Sequence, residues 1–214
     1  MKTSVNSFLS VFWNAFLPEN VVLVQAMSLC PILAVGSNLQ DGVTLAICTL
    51  AVLVPTDLIF SLLDKKISSK LRPLLHALLS SVFLLLAALV LRQWIAPNIY
   101  AHLYLFLPLM AVSTLFTYRS AGVTVLGKGS LVSFLADSLG SALGFGLVLC
   151  VTSALREMAI TGTLWNIPLG YAARFPEAEH PFIGFVLLGF MAATLQWVKQ
   201  LLRRRIPAKE EIEI

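Results

Sequence analysis

From residue 21 to residue 202 the chain alternates apolar runs with short polar breaks. The runs cover about 21–36, 42–63, 73–94, 100–118, 130–155 and 181–202. A helix needs about 20 apolar residues to cross lipid. The first and fourth runs are the short ones, and each contains a proline, Pro31 and Pro108. Short, interrupted segments in matching positions of two halves point to an inverted repeat with its site near the midplane. The pattern therefore predicts an all-α integral membrane protein: six transmembrane helices as a 3+3 inverted repeat, with broken first and fourth helices. That membrane domain occupies residues 20–202. Within residues 1–19, Phe8, Phe12 and Phe16 recur every four positions, with Leu9 and Trp13 beside them. The spacing sets the aromatics on one helical face. It predicts an interfacial helix lying on the membrane and ending at Pro18-Glu19-Asn20. Residues 203–214 are charged and read as a stop-transfer and solvated tail.

The first run holds the densest chemistry. Leu23–Ser37 is apolar enough for lipid, yet it carries Gln25 and a Cys30-Pro31 step. Proline removes a backbone donor and disfavours helical geometry in the residue before it. A helix broken in hydrocarbon leaves polar groups that must face protein or a cavity. A thiol at such a break can bind something, or it can be a small buried residue beside a kink.

Composition agrees with a membrane protein and narrows little else. The chain has 214 residues, of which 58% are hydrophobic and 12% charged, with a mean hydropathy of +0.87. Soluble domains carry about 25% charged residues. The net charge of +4 does not signal nucleic acid, because no basic patch is interleaved with aromatics and Lys and Arg gather on the cytoplasmic side of membrane proteins. With the N-terminus inside, only Arg92, Arg156 and Arg174 of the 15 Lys and Arg fall outside. Both termini are thus expected in the cytoplasm. Cys30, Cys48 and Cys150 are far apart in sequence, without CxxC or Cys/His spacing, so any metal needs ligands from distant segments or another chain.

Two acids sit within the runs. Asp57 follows Val54-Pro55-Thr56 in the second, and Asp137 lies early in the fifth. Ionisable groups inside a span are functional candidates, and both are ion-path candidates here. Asp57 can equally reach toward the interface or pair with a polar neighbour. His76, His102 and His180 fall near membrane edges and read as wet interfacial residues. Arg156-Glu157 reads as a local ion pair or a loop anchor, worth little if exposed. Gly140, Gly144 and Gly146 suit close helix packing. The loop over 156–180 carries Trp165, Tyr171 and Phe175, which suit an interfacial belt or cover for a partner subunit.

The order of these features resembles a known family. Leu23, Val24, Gln25, Leu29, Cys30, Pro31, Leu33, Ala34 and Val35 carry one part of the likeness, and Phe106, Pro108 and Leu109 a second. Asp137 and the run Leu155, Arg156, Glu157, Gly162, Thr163, Leu164 complete it. Together they resemble the six-helix subunits of Rnf-type ion-translocating ferredoxin:NAD oxidoreductases and Na+-translocating NADH:quinone reductases. The E-type Rnf subunit and the D-type quinone-reductase subunit are the nearer match. The resemblance implies a bacterial inner-membrane protein within a complex that couples electron transfer to ion translocation. It implies a homologous inverted partner, and a [2Fe–2S] cluster near mid-bilayer held by one first-helix and one fourth-helix cysteine from each subunit. Cys30 matches the first-helix ligand. Thr114 stands where the second is expected, and a hydroxyl is a poor iron ligand beside thiolates. Val186-Leu187-Leu188-Gly189 replaces the proline-rich start of the last helix. A cofactor-free scaffold of the same family, or a small-solute or ion transporter, are the rival readings. Nothing resembles a nucleotide-binding motif, so NADH would bind elsewhere in a complex.

Overall fold

A computed structural model describes residues 2–16, 20, 22–24, 29–35, 38–63, 71–94, 103, 106–107, 131–165, 167–168, 175 and 180–205. Among these, helices run in the order α1 Lys2–Phe16, α2 Leu29–Val35, α3 Leu39–Leu63, α4 Arg72–Trp94, α5 Leu131–Ile160 and α6 Pro181–Arg205. Between α5 and α6 lies a small hairpin, β1 Thr163–Leu164 and β2 Ile167–Pro168, paired antiparallel as Thr163 with Pro168 and Leu164 with Ile167.

Four of the described helices are long and apolar enough to cross a membrane: Leu39–Phe60, Pro73–Gln93, Leu135–Ile160 and Pro181–Leu201. They correspond to the second, third, fifth and sixth apolar runs. The first run is not one helix among the described residues. It holds a turn at 22–24 and then α2, described over 7 residues. Pro31 sits in the first turn of α2, where its missing N–H has no helical carbonyl to serve. Of the fourth run only Leu103, Phe106 and Leu107 are described; their backbone is helical, and Leu103 and Leu107 are buried. Pro108 lies outside the described residues.

The core is a seam between α3 and α5. Leu45, Cys48, Val52 and Leu53 from α3 meet Ala142, Phe145, Val148 and Leu149 from α5 in one buried cluster. Small residues let the two backbones close. A Cβ on Gly42 would stand 2.5 Å from Ser153 Oγ, and one on Gly146 would stand 3.1 Å from the Ala46 side chain. Gly42 opposite Ser153 and Asp57 opposite Ser138 make the helices antiparallel. The threonines along this seam do not join in a chain. Thr44, Thr49, Thr56 and Thr152 each donate to the carbonyl four residues back on their own helix, a bond that satisfies a hydroxyl without a neighbour.

Helix α1 packs along α5 in the same direction. A Cβ on Gly140 would meet the Phe12 carbonyl at 2.6 Å, and one on Gly144 would meet the Phe16 carbonyl at 2.7 Å. The rings of Phe8, Phe12 and Phe16 stack in sequence along one face, with centroids 6.5 and 6.0 Å apart. Leu9 and Trp13 are exposed. Buried Asn20 joins α1 to the turn at 22–24. Its Nδ2 donates to the Phe16 carbonyl at 3.1 Å, while its Oδ1 accepts the amides of Val22 and Leu23 at 3.0 and 3.2 Å. One side chain thus ends a helix and starts a turn.

By contrast, α4 and α6 leave much apolar surface open, including Leu74, Leu78, Leu85 and Leu89 on α4 and Phe182, Phe190 and Trp197 on α6. Exposed apolar area on this scale belongs against lipid or other subunits. The glycine contacts generate a prediction. Gly144→Leu forces the α1 backbone away and is expected to destabilise the subunit by ~1–3 kcal/mol or more. Gly189→Leu, where nothing lies within 4 Å of the added Cβ, is expected to be silent. Thermal unfolding of both variants in detergent checks the contrast.

Candidate functional site

The broken first run is held at its far end by α5. Arg156 and Glu157, the last buried charges on that helix, are 1% and 3% exposed, and of the two sequence readings, a local ion pair or a loop anchor, their contacts fit the anchor. Arg156 Nη1 donates to the Leu33 carbonyl of α2 at 3.0 Å. Leu33 is one of the last residues of a short helix, where carbonyls lack intrahelical donors. Glu157 Oε2 accepts the Leu39 amide at 2.8 Å, the first N–H of α3. A carboxylate there meets both an orphan donor and the positive end of the helix dipole. Its other oxygen accepts the Thr163 hydroxyl at 3.2 Å. Asn38 adds a backbone cap, its carbonyl accepting the Gly42 amide at 3.1 Å. The adjacent Arg-Glu step of α5 therefore clamps both sides of the α2–α3 joint and ties it to β1.

Gly162 makes the geometry possible. It follows the end of α5 with φ 67°, and its amide bonds the Met158 carbonyl at 3.2 Å, the left-handed closure that glycine adopts at helix ends. The hairpin then turns at Trp165, which has φ 57° and an exposed ring. Tyr171 lies outside the described residues; Phe175 is exposed.

On the clamped half-helix, Pro31, Ile32 and Leu33 are buried, while Cys30 is exposed. The thiol thus lies on the surface of this chain at the start of α2. Gly184 of α6 closes the other side: a Cβ there would stand 2.7 Å from Leu33 Cδ2. Thr114 lies outside the described residues. Cys48 is buried on α3 and Cys150 half-buried on α5. Among the described residues no group of three or more His, Cys, Asp or Glu is placed to hold a metal ion.

At the opposite end of the seam a second polar group closes the bundle. Asp57, 0% exposed, faces His76 of α4, 1% exposed, with Oδ1 to Nε2 at 3.0 Å. Its other oxygen accepts the hydroxyl of buried Ser138 on α5. Phe60 packs edge-on against the His76 ring, with centroids 5.0 Å apart. The expectation of a wet interfacial histidine at 76 is corrected here. Its ring is turned into the contact between α3, α4 and α5, and only an unusual polar residue four positions into an apolar helix could have hinted at it. His180 is exposed; His102 lies outside the described residues. Asp137 is half-buried beside Ser138 on α5.

Residues 8–201 match the profile of a family described as Rnf-Nqr subunit, membrane protein. The chain belongs to the Rnf-Nqr family. It is 28% identical over 194 residues to the E subunit of the proton-translocating ferredoxin:NAD(+) oxidoreductase complex of Clostridium ljungdahlii, a match covering 88% of this chain and 90% of that protein. It is 28% identical over 221 residues to the E subunit of the ion-translocating oxidoreductase complex of Shewanella loihica, covering 96% and 94%. To the E subunit of the Na(+)-translocating ferredoxin:NAD(+) oxidoreductase complex of Acetobacterium woodii it is 26% identical over 193 residues, covering 89% and 97%. One relative is named for protons and another for sodium, so likeness at this level does not choose the ion.

Arg156→Ala leaves the buried Leu33 carbonyl without its donor, and Glu157→Ala does the same to the Leu39 amide; each is expected to cost ~1–3 kcal/mol. Thermal unfolding of the solubilised subunit measures this. Midpoints unchanged from the parent would show that α2 is held by other contacts.

Proposed function

We propose that this chain is an integral subunit of an Rnf-type complex that couples electron transfer to ion translocation across a bacterial inner membrane. Membership of the Rnf-Nqr family and near full-length likeness to E subunits support the reading. The observation that carries it is the exposed thiol of Cys30 at the start of a helix whose following residues are buried and clamped. A thiol so placed faces out of its own chain, toward a neighbour.

Alone, the chain does not fit a [2Fe–2S] cluster. Such a cluster takes four thiolates, and Cys30 supplies one, with Thr114 at the expected second position. The cluster reading is therefore a shared one, in which Cys30 contributes a thiolate and a homologous inverted six-helix subunit contributes others. The seam supports an inverted repeat within the chain, because the second and fifth apolar runs, its matching members, pack antiparallel on each other. In this reading the first and fourth runs complete six membrane segments with both termini in the cytoplasm, and Asp57 and Asp137 are the ion-path candidates. The open apolar faces of α4 and α6 meet lipid and the other subunits.

Iron analysis of the purified complex tests the shared site. Cys30→Ala is expected to lower iron and acid-labile sulfide relative to the parent complex while the subunits stay assembled. Iron and sulfide equal to the parent would make the chain a cofactor-free scaffold of the complex. Solute uptake by the chain alone in liposomes would instead favour a transporter.

A further inference from the structure

Asp57, His76 and Ser138 come from three different helices, and all three side chains are buried. Asp57 lies six residues before the end of α3 and His76 four residues into α4. At ~1.5 Å per residue both stand within about two turns of the same end of the bundle. The loop between those helices carries Lys65, Lys66 and Lys70, and Arg72 opens α4. Facing Asp57 are the imidazole from α4 and the hydroxyl from α5; Asp137, the neighbour of Ser138, is half-buried. Pro55, two residues before Asp57, lies inside α3. It cannot donate to the carbonyl of Ala51, which loosens the helix just ahead of the carboxylate.

We infer that the Asp57–His76–Ser138 group is an intramembrane proton-binding site of this subunit, loaded from the end of the bundle that carries the basic loop. This rests on the ion-translocating reading above and names the ion and the residues. A hard cation would need a shell of oxygen ligands. Here one carboxylate oxygen faces a ring nitrogen at 3.0 Å and the other already accepts a hydroxyl, so a metal cation would have to displace both. A proton needs no displacement. Uptake of one proton from hydronium breaks an O–H bond of that ion, leaves water behind, and forms an N–H bond on His76 or an O–H bond on Asp57. Ser138 keeps its own hydrogen and holds the second carboxylate oxygen in place. The threonines further along the seam donate to their own helix, so they pass no proton onward in this arrangement, and exchange is with the near end.

A structural latch would need the same contacts but no titration. Infrared difference spectra of the purified complex in lipid, between acid and alkaline buffer, separate the two. The site predicts carboxyl or imidazole bands that are lost in Asp57→Asn, an isosteric change that keeps hydrogen-bonding capacity, and that shift in His76→Gln. If Asp57→Asn does not assemble, His76→Gln alone carries the comparison. Spectra in which the assembled variants match the parent overturn the inference. Coupling is read separately in sodium-free liposomes, with electron transfer and luminal pH recorded together. Asp57→Asn is expected to lower the protons moved per electron at least tenfold at whatever rate of electron transfer remains; an unchanged ratio also overturns the inference. Titrating bands in a complex that moves no ion during electron transfer would reject the pump reading and keep the proton site.

Discussion

The antiparallel seam between α3 and α5 governs the rest of this subunit, because hydrocarbon offers no partner to a polar group left over inside it. Along the middle the seam is apolar, and its threonines bond their own helices. At each end it must bury groups that a helix alone cannot satisfy. One end is closed by Arg156 and Glu157, which reach the Leu33 carbonyl and the Leu39 amide. The other is closed by Asp57 with His76 and Ser138. Glycines and small residues between them keep the backbones near enough for both closures to form together.

The two closures differ in chemical character. Arg156 and Glu157 meet backbone groups, so they fix a shape: the docking of α2 with Pro31, Ile32 and Leu33 buried and Cys30 exposed. Asp57 meets side chains of two other helices, so it ties α3, α4 and α5 together. Breaking a buried charged contact commonly costs ~3–5 kcal/mol, which is large beside the stability of a folded chain.

Much of this was readable from residue order, and the rest was not for definite reasons. The apolar runs at 42–63, 73–94, 130–155 and 181–202 predict helices that appear within a few residues, since length and hydropathy alone decide them. Gly140, Gly144 and Gly146 read correctly as packing positions, because few other roles suit glycine inside an apolar helix. Asp57 stood out as a charge in a span, but its partner did not. The Asp57–His76 contact joins residues on different helices and depends on how α3 and α4 rotate against each other. Arg156-Glu157 reads in sequence as a local ion pair or a loop anchor; the anchor forms, and its targets, the Leu33 carbonyl and the Leu39 amide, are set by tertiary packing that spacing does not encode. Pro31 promised a broken first helix, and it lies in the opening turn of α2 as that helix is described. The family likeness, carried by scattered residues such as Cys30, Pro31 and the Leu155–Leu164 run, was visible before any contact was known.

The central claim is that this chain holds part of a site and a second chain holds the remainder. A density map of the assembled complex, read at the sulfur of Cys30, tests it most directly. The account predicts metal-cluster density bonded to that sulfur and further ligands arriving from a neighbouring subunit. Cys30 covered only by packed side chains, or facing lipid with no subunit beside it, would contradict it.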